Sequence, residues 1–150
     1  MSDEPGNLAG LGKRLLGSLA DGLILGVIAI PIFFLTGAFK EALAGHELTT
    51  TRKLLNFCLA FAVWVIVNAR LLARKGQTIG KLAVGTRIVD LQGAVPPFGK
   101  LVILRYLVPW LVESIPTIGV ILGLADGLFI FGRERRCIHD YLAGTRVVNA

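Results

Sequence analysis

The chain has 150 residues, of which 54% are hydrophobic and only 17% are charged, and its mean hydropathy is +0.70. A soluble domain of this size carries more charge and shorter apolar runs, so the composition indicates an integral membrane protein. The net charge of +6 is concentrated beside the apolar runs, which suits anionic lipid headgroups in a lipid bilayer. The interleaved aromatic and basic residues of a nucleic-acid surface are absent, which excludes a nucleic-acid partner.

The apolar runs predict an all-α membrane protein, a small helical bundle of about four transmembrane or half-spanning helices. Residues 1–12 are polar and Gly-rich, which predicts a mobile N-terminal tail, and 13–150 form the transmembrane domain. The apolar run 15–39 is too long for the core of a cleaved signal peptide, so we expect it to remain as the first span. The expected spans are 15–39, 54–73, 98–114 and 117–132.

The stretch 98–132 is too long for one untilted span, and Pro116 is its natural break. It forms either two thin spans or a re-entrant hairpin. Four segments with both termini inside agree best with the positive-inside rule. The inner face then holds Lys13, Arg14, Arg70, Arg74, Lys75, Lys81, Arg87, Lys100, Arg105, Arg133, Arg135, Arg136 and Arg146, and the outer loop holds Lys40, Arg52 and Lys53.

The string Leu-Ala-Asp-Gly-Leu occurs twice, at 19–23 and 124–128, and places Asp21 and Asp126 inside apolar runs. A carboxylate near a bilayer centre costs about 2.5–3.5 kcal/mol on insertion scales, so such residues face a partner or a water-filled path. Arg14 precedes Asp21 by nearly two helical turns and can share its helix face. Each Asp is either an exchanging group for a proton and a cation, or half of a structural ion pair with a base such as Arg14 or Arg105.

Small residues recur every fourth position around both copies of this string. The first set is Ser18, Gly22 and Gly26, and the second is Gly119, Gly123 and Gly127. Such faces let helices approach closely, so we expect the first and fourth helices to pack together there.

Two similar strings, 85–90 and 144–149, have the β-branched content of strands and predict a short β pairing at the cytoplasmic membrane surface. Between them, His139-Asp140 either anchors the last strand or acts as a pH-sensitive gate. The Gly76–Lys81 string lacks the spacing of a phosphate loop, although Lys75 and Lys81 can contact lipid headgroups. Glu113 is either a hairpin cap or a cation ligand at the break.

Nothing in the sequence indicates enzymatic chemistry. No nucleophile elbow and no metal-ligand spacing is present, so neither a metal nor another cofactor is expected. Cys58 and Cys137 do not form a disulfide framework and are interpreted as free thiols.

At these residues the chain resembles the RDD family of small bacterial multi-pass membrane proteins. Arg14 and Asp21 match the Arg and first Asp of that family, and Arg105 matches its later membrane-embedded Arg. The strings 76–81, 85–89 and 139–148 match its loop and strand motifs. The second Asp of the family corresponds to Asp126 or Asp140, and the His-Asp context favours Asp140. The resemblance implies a bacterial inner (plasma) membrane location with cytoplasmic termini, and a transport role such as monovalent cation/proton exchange.

Two functions follow as hypotheses. The chain transports a monovalent cation or small solute in exchange for protons, as a homo-oligomer because four short helices enclose little volume. Alternatively, it is a membrane scaffold or accessory subunit that binds a protein partner and transports nothing itself.

Overall fold

The computed structural model describes residues 8–115 and 117–150. The described chain is mostly helical, and its two short strands follow the fourth and the last helix. The elements are, in order, α1 (Leu11–Leu35), α2 (Ala38–Leu43), α3 (Thr50–Lys75), α4 (Ile79–Ala83), β1 (Thr86–Asp90), α5 (Phe98–Lys100), a π-helix (Leu101–Leu107), α6 (Val108–Glu113), α7 (Ile118–Leu128), a 3-10 turn (Phe129–Phe131), α8 (Ile138–Leu142) and β2 (Thr145–Asn149).

By length and composition, α1 and α3 can each cross a membrane. At about 1.5 Å per residue, both exceed the roughly 30 Å hydrocarbon thickness of a bilayer. The apolar side chains of α1 face outward, with Leu23 74% and Val27 71% exposed. Apolar surface of this extent is unfavourable in water and suits contact with lipid.

The third segment (98–113) and the fourth segment (118–131) are shorter helical arms on either side of the expected break. At their near ends, a Cβ added at Gly119 would collide with the backbone of Glu113. At their far ends, α8 contacts both the π-helix and α7. The two arms therefore lie side by side as a hairpin.

The two strands pair antiparallel, from Thr86 opposite Asn149 to Asp90 opposite Thr145, which confirms the predicted strand pairing. A bridge between Leu8 and Val148 extends this sheet, and the Ala9 amide donates to the Val147 carbonyl at 3.1 Å. Backbone pairing thus holds the chain just before α1 begins at Leu11, and the mobile N-terminal tail over 1–12 stays a prediction. Residues 1–7 lie outside the described residues.

The buried core lies where α3, the third segment and the sheet meet. Its largest member, Trp64, packs against Tyr106 and Trp110, with ring centroids 4.6 and 5.1 Å away. Aromatic pairs at such distances stabilise beyond the area they bury. This cluster fixes the third segment against α3.

Gly76 makes the turn that brings the chain from α3 to the sheet. Its φ is +62°, and a Cβ there would collide with the Ile88 carbonyl. The Ile88 amide donates to the Gly76 carbonyl at 2.7 Å. Only glycine combines this conformation with this approach at low cost.

The expected close packing of the first and fourth helices is absent from the described part of the chain. A Cβ added at Gly22, Gly26 or Gly127 would meet nothing within 4 Å, and the one at Gly123 would meet the Glu113 side chain. The close approach on α1 is made by Gly17 to Gly80 of α4 instead. Gly22 and Gly26 therefore face open space, and α1 packs closely on α4 through Gly17 instead.

Candidate functional site

Asp21 binds the start of α4. Its carboxylate accepts hydrogen bonds from the Thr78 hydroxyl at 2.5 Å and the Gly80 amide at 2.8 Å, and Lys81 Nζ lies 3.4 Å away. The Thr78 hydroxyl also caps the helix by accepting from the Lys81 amide at 3.3 Å. A carboxylate that accepts helix-terminal donors is well stabilised. These groups, and not Arg14 or Arg105, are the partners of Asp21.

The α4 helix reaches Asp21 because two glycines face each other. A Cβ added at Gly80 would collide with the Gly17 carbonyl and lie 2.6 Å from Asp21 Oδ1. On its other side, the Ile79 amide donates to Asn68 Oδ1 at 3.0 Å, and the Asn68 side chain is fully buried. The Gly-x-Thr-x-Gly-Lys string thus positions a short helix between α1 and α3.

Asp140 lies at the centre of a buried triad with Arg14 and Arg105. Arg14 Nη2 is 2.6 Å from Asp140 Oδ2, and Arg105 Nη1 pairs with Oδ1. Arg105 also donates to the Thr145 hydroxyl at 2.5 Å, and Arg14 donates to the Arg135 carbonyl. A buried carboxylate between two guanidinium groups joins α1, the π-helix, α8 and β2.

The electrostatics of Asp140 are those of a permanent ion pair. Burial alone would raise its pKa, but the guanidinium charges, chiefly that of Arg105, lower the pKa well below its ordinary value. Its Oδ2 atom also accepts from the Cys137 amide at 3.1 Å. Asp140 therefore stays ionised at physiological pH.

Asp126 pairs with His139. The His139 backbone amide donates to Asp126 Oδ1 at 2.9 Å, and the distance from His139 Nδ1 to Oδ2 is 2.7 Å. Burial lowers the pKa of His139 below its ordinary value, although its hydrogen bond to Asp126 acts in the opposite direction. The imidazole is therefore neutral at pH 7, and Nδ1–H donates to the carboxylate.

Two adjoining cavities, of about 450 and 330 Å³, open onto this pair. Both are lined by Ser18, Lys81, Arg105, Asp126 and His139. The smaller cavity also reaches Glu113 and the Trp64–Tyr106 aromatic pair. Among the described residues, the buried donors at Trp64 Nε1, the Tyr106 hydroxyl and Arg105 Nε have no hydrogen-bond partner, so this cavity suits polar occupants or water.

Several predicted site residues take other roles than expected. Arg14 and Arg105 converge on Asp140, so the spacing of Arg14 and Asp21 along α1 does not correspond to an ion pair. Lys81 is only 12% exposed and faces Asp21, which places it in an internal ion pair instead of at a headgroup. Lys75 is exposed at the end of α3 and free to contact a headgroup. Cys58 and Cys137 are free thiols, as predicted.

Sequence reasoning missed Thr78, Asn68 and Tyr106 as site residues. Asn68 carried a usable signal, because a carboxamide inside an apolar run must find partners. Thr78 carried one through the string 76–81, which resembles the loop motif of the family, whereas Tyr106 carried none, since a Tyr in an apolar segment is not unusual.

The apolar helices are long enough to cross a membrane, and buried ion pairs join the elements between them. The chain matches the model of the RDD family over residues 8–144, and it belongs to that family. The family and the two long apolar helices both indicate a membrane protein. No curated protein and no solved structure gives a match.

Proposed function

We propose that this membrane protein exchanges a monovalent cation or a small solute for protons, and that the Asp126–His139 pair is the exchanging group. The observation that supports this choice is the access of the pair to both cavities. Intramembrane acids with such access serve as proton and ion sites in transporters.

The other two buried acids are less suited to exchange. Asp140 lies between two guanidinium groups, and Asp21 accepts from a hydroxyl, an amide and a lysine. Releasing either from its partners would leave buried charges uncompensated, at a cost of several kcal/mol. Asp126 has a neutral imidazole as its partner, and exchanging that contact for a cation strands no charge.

The exchange follows from competition for the same carboxylate oxygens. A cation that enters the smaller cavity can be bound by Asp126 with Glu113 nearby, because both carboxylates line that space. A proton added to the Asp126–His139 pair removes its negative charge and so weakens cation binding. If the cavities open alternately to the two sides of the membrane, each cycle moves one ion in each direction.

We further propose that both termini and the sheet lie on the cytoplasmic side of a bacterial inner membrane. The basic residues near α4, β1 and α8 then face anionic headgroups, in agreement with the positive-inside rule. The open space beside Gly22 and Gly26 on α1 suits a second copy of the chain. Such a homo-oligomer would enclose the cavities more fully than one chain does.

Proteoliposomes that contain a pH-sensitive dye test this function. Sodium, lithium or potassium pulses should move protons with the wild type and should fail to do so with Asp126→Asn. Glu47→Gln is the matched control, since it makes the same change at a 95% exposed side chain. Absence of cation-dependent proton flux with folded wild type, across several pH values and all three ions, would refute transport of these cations.

The alternative is a scaffold or accessory subunit with no transport of its own. The open face of α1 at Gly22 and Gly26 supports the scaffold role as well as it supports a homo-oligomer, because a different protein can also occupy that face. Gly22→Leu and Gly26→Leu should then abolish complex formation on cross-linking while the isolated chain remains folded. Gly12→Leu, at another open helical glycine, is the control, and complexes that survive both test substitutions would contradict the scaffold role.

A further inference from the structure

A cluster of three different potential ligands lies beside the larger cavity. One ligand atom from each of Asp126, Cys137 and His139 lies within 4.8 Å of the other two. All three residues also line the cavity of about 450 Å³. The fold creates this cluster, because α8 brings Cys137 and His139 against α7.

We infer that Asp126, Cys137 and His139 form a binding site for a soft divalent transition-metal ion of the Zn²⁺ class. A thiolate sulfur, an imidazole nitrogen and a carboxylate oxygen are the ligands that such ions prefer, and Mg²⁺ or Ca²⁺ would reject the sulfur. Three protein ligands leave a fourth tetrahedral position, which faces the cavity and suits a water molecule.

The geometry needs only small adjustments. Zinc bond lengths of about 2.0–2.3 Å place tetrahedral ligand atoms roughly 3.3–3.8 Å apart. His139 Nδ1 and Asp126 Oδ2, at 2.7 Å, must separate slightly, and the Cys137 sulfur must approach by no more than about 1.5 Å. A change of side-chain rotamer within the adjoining cavity can supply both movements.

The surroundings hold the ligands in place. The Cys137 amide donates to Asp140 and the His139 amide to Asp126, so the backbone of both ligand residues is fixed. The thiolate and the carboxylate together supply two negative charges, which match a divalent ion. Arg14 Nη2, 3.8 Å from the Cys137 sulfur, is already paired with Asp140. Metal binding displaces the Cys137 thiol proton, which passes to a buffer base through the cavity. His139 changes tautomer, losing its Nδ1 proton and gaining one at Nε2 from solvent, so that Nδ1 binds the metal.

Cobalt titration of the full-length, metal-stripped protein in detergent tests the site. Co²⁺ bound through a thiolate gives a sulfur-to-metal charge-transfer absorption, and Zn²⁺ added afterwards should displace it at one ion per chain. Cys137→Ser should remove the band and should fold, because serine is a good cap for α8. Cys58→Ser is the matched control, since Cys58 is an exposed thiol far from the cluster in α3.

The variants Asp126→Asn and His139→Ala should weaken Zn²⁺ binding by more than the roughly 10–100-fold that loss of a supporting group produces. Retention of the charge-transfer band in Cys137→Ser, its loss in Cys58→Ser, or no band in the wild type would overturn the inference. The test involves no transport measurement, so its failure leaves the proposed exchange untouched. Because both proposals use Asp126 and His139, bound Zn²⁺ should block the exchange.

Discussion

At the scale of single residues, the described part of the chain assigns its buried acids to different tasks. Asp140 and Asp21 each bind several permanent donors, whereas Asp126 is bound only to His139 among the contacts described above. The chemical type is the same in all three cases. The partners decide whether the carboxylate stabilises the fold or can exchange its ligand.

Replacement of Asp140 should be the most destabilising isosteric change in the triad. Asp140→Asn leaves two buried guanidinium groups without a countercharge, which should cost about 3–5 kcal/mol of unfolding free energy. Reversible unfolding in detergent measures the loss. Asp90→Asn, at a partly exposed strand end, is the control, and an equal loss in both variants would contradict the central role of the triad.

Acid should weaken the same triad. The pKa of Asp140 is lower in the folded chain than its ordinary value of about 3.9. Its stabilising contribution is therefore complete above pH 4 and is lost as the pH falls through the lowered pKa, because the unfolded chain takes up the proton first. Unfolding free energies measured with a chelator present should fall below pH 4 in the wild type and fall less steeply in Asp140→Asn.

At the scale of the elements, α4 is a short helix that depends on its neighbours. It has five residues, too few for a stable isolated helix. Asp21 from α1, Asn68 from α3 and the facing Gly17 hold it in place. Contact between α1 and α4 thus replaces the contact between α1 and α7 that the glycine spacing predicted.

A methyl group at position 80 should displace α4. Gly80→Ala collides with the Gly17 carbonyl and crowds Asp21, which should cost about 1–3 kcal/mol of unfolding free energy. Gly22→Ala adds the same group on α1 where nothing lies within 4 Å, and it should be neutral or slightly stabilising. Equal unfolding midpoints in the two variants would show that the α1–α4 contact is not tight.

Local pattern was sufficient to predict the long helices and the paired strands, but not the short helices α2, α4 and α8 or the contacts between the charged residues. Hydropathy indicated the long helices, and β-branched repetition indicated the paired strands. The ion pair between Arg14 and Asp140 joins residues separated by 126 positions, and the bond from Thr78 to Asp21 spans 57. Spacing along one helix favoured nearby partners for these charges, and only the packed fold shows that each charge is paired across the bundle.

At the scale of the whole molecule, polar contacts concentrate at one end. The triad, the α4 cap and the Asp126–His139 pair all lie near the sheet and α8, whereas the Arg52–Glu41 pair joins the start of α3 to α2. With this asymmetry and two long apolar helices, the end of the bundle at α8 and the sheet should lie on one side of a bilayer, and the end at α2 should lie on the other.

Single cysteines should report that orientation. In a background that carries Cys58→Ser and Cys137→Ser, Glu47→Cys should react with a membrane-impermeant maleimide in intact cells, and Gln92→Cys should react only after lysis. Both positions are exposed in the structure. Labelling of both from the same side would contradict the proposed topology.

The most direct test of the account compares proton flux per folded molecule in proteoliposomes for Asp21→Asn and Asp126→Asn. Because Asp21 anchors α4, Asp21→Asn should lower the yield and unfolding midpoint of the protein, but the molecules that fold should keep cation-dependent flux. Asp126→Asn should fold well and lose that flux. Loss of flux in well-folded Asp21→Asn together with normal flux in Asp126→Asn would contradict the assignment of exchange to the Asp126–His139 pair.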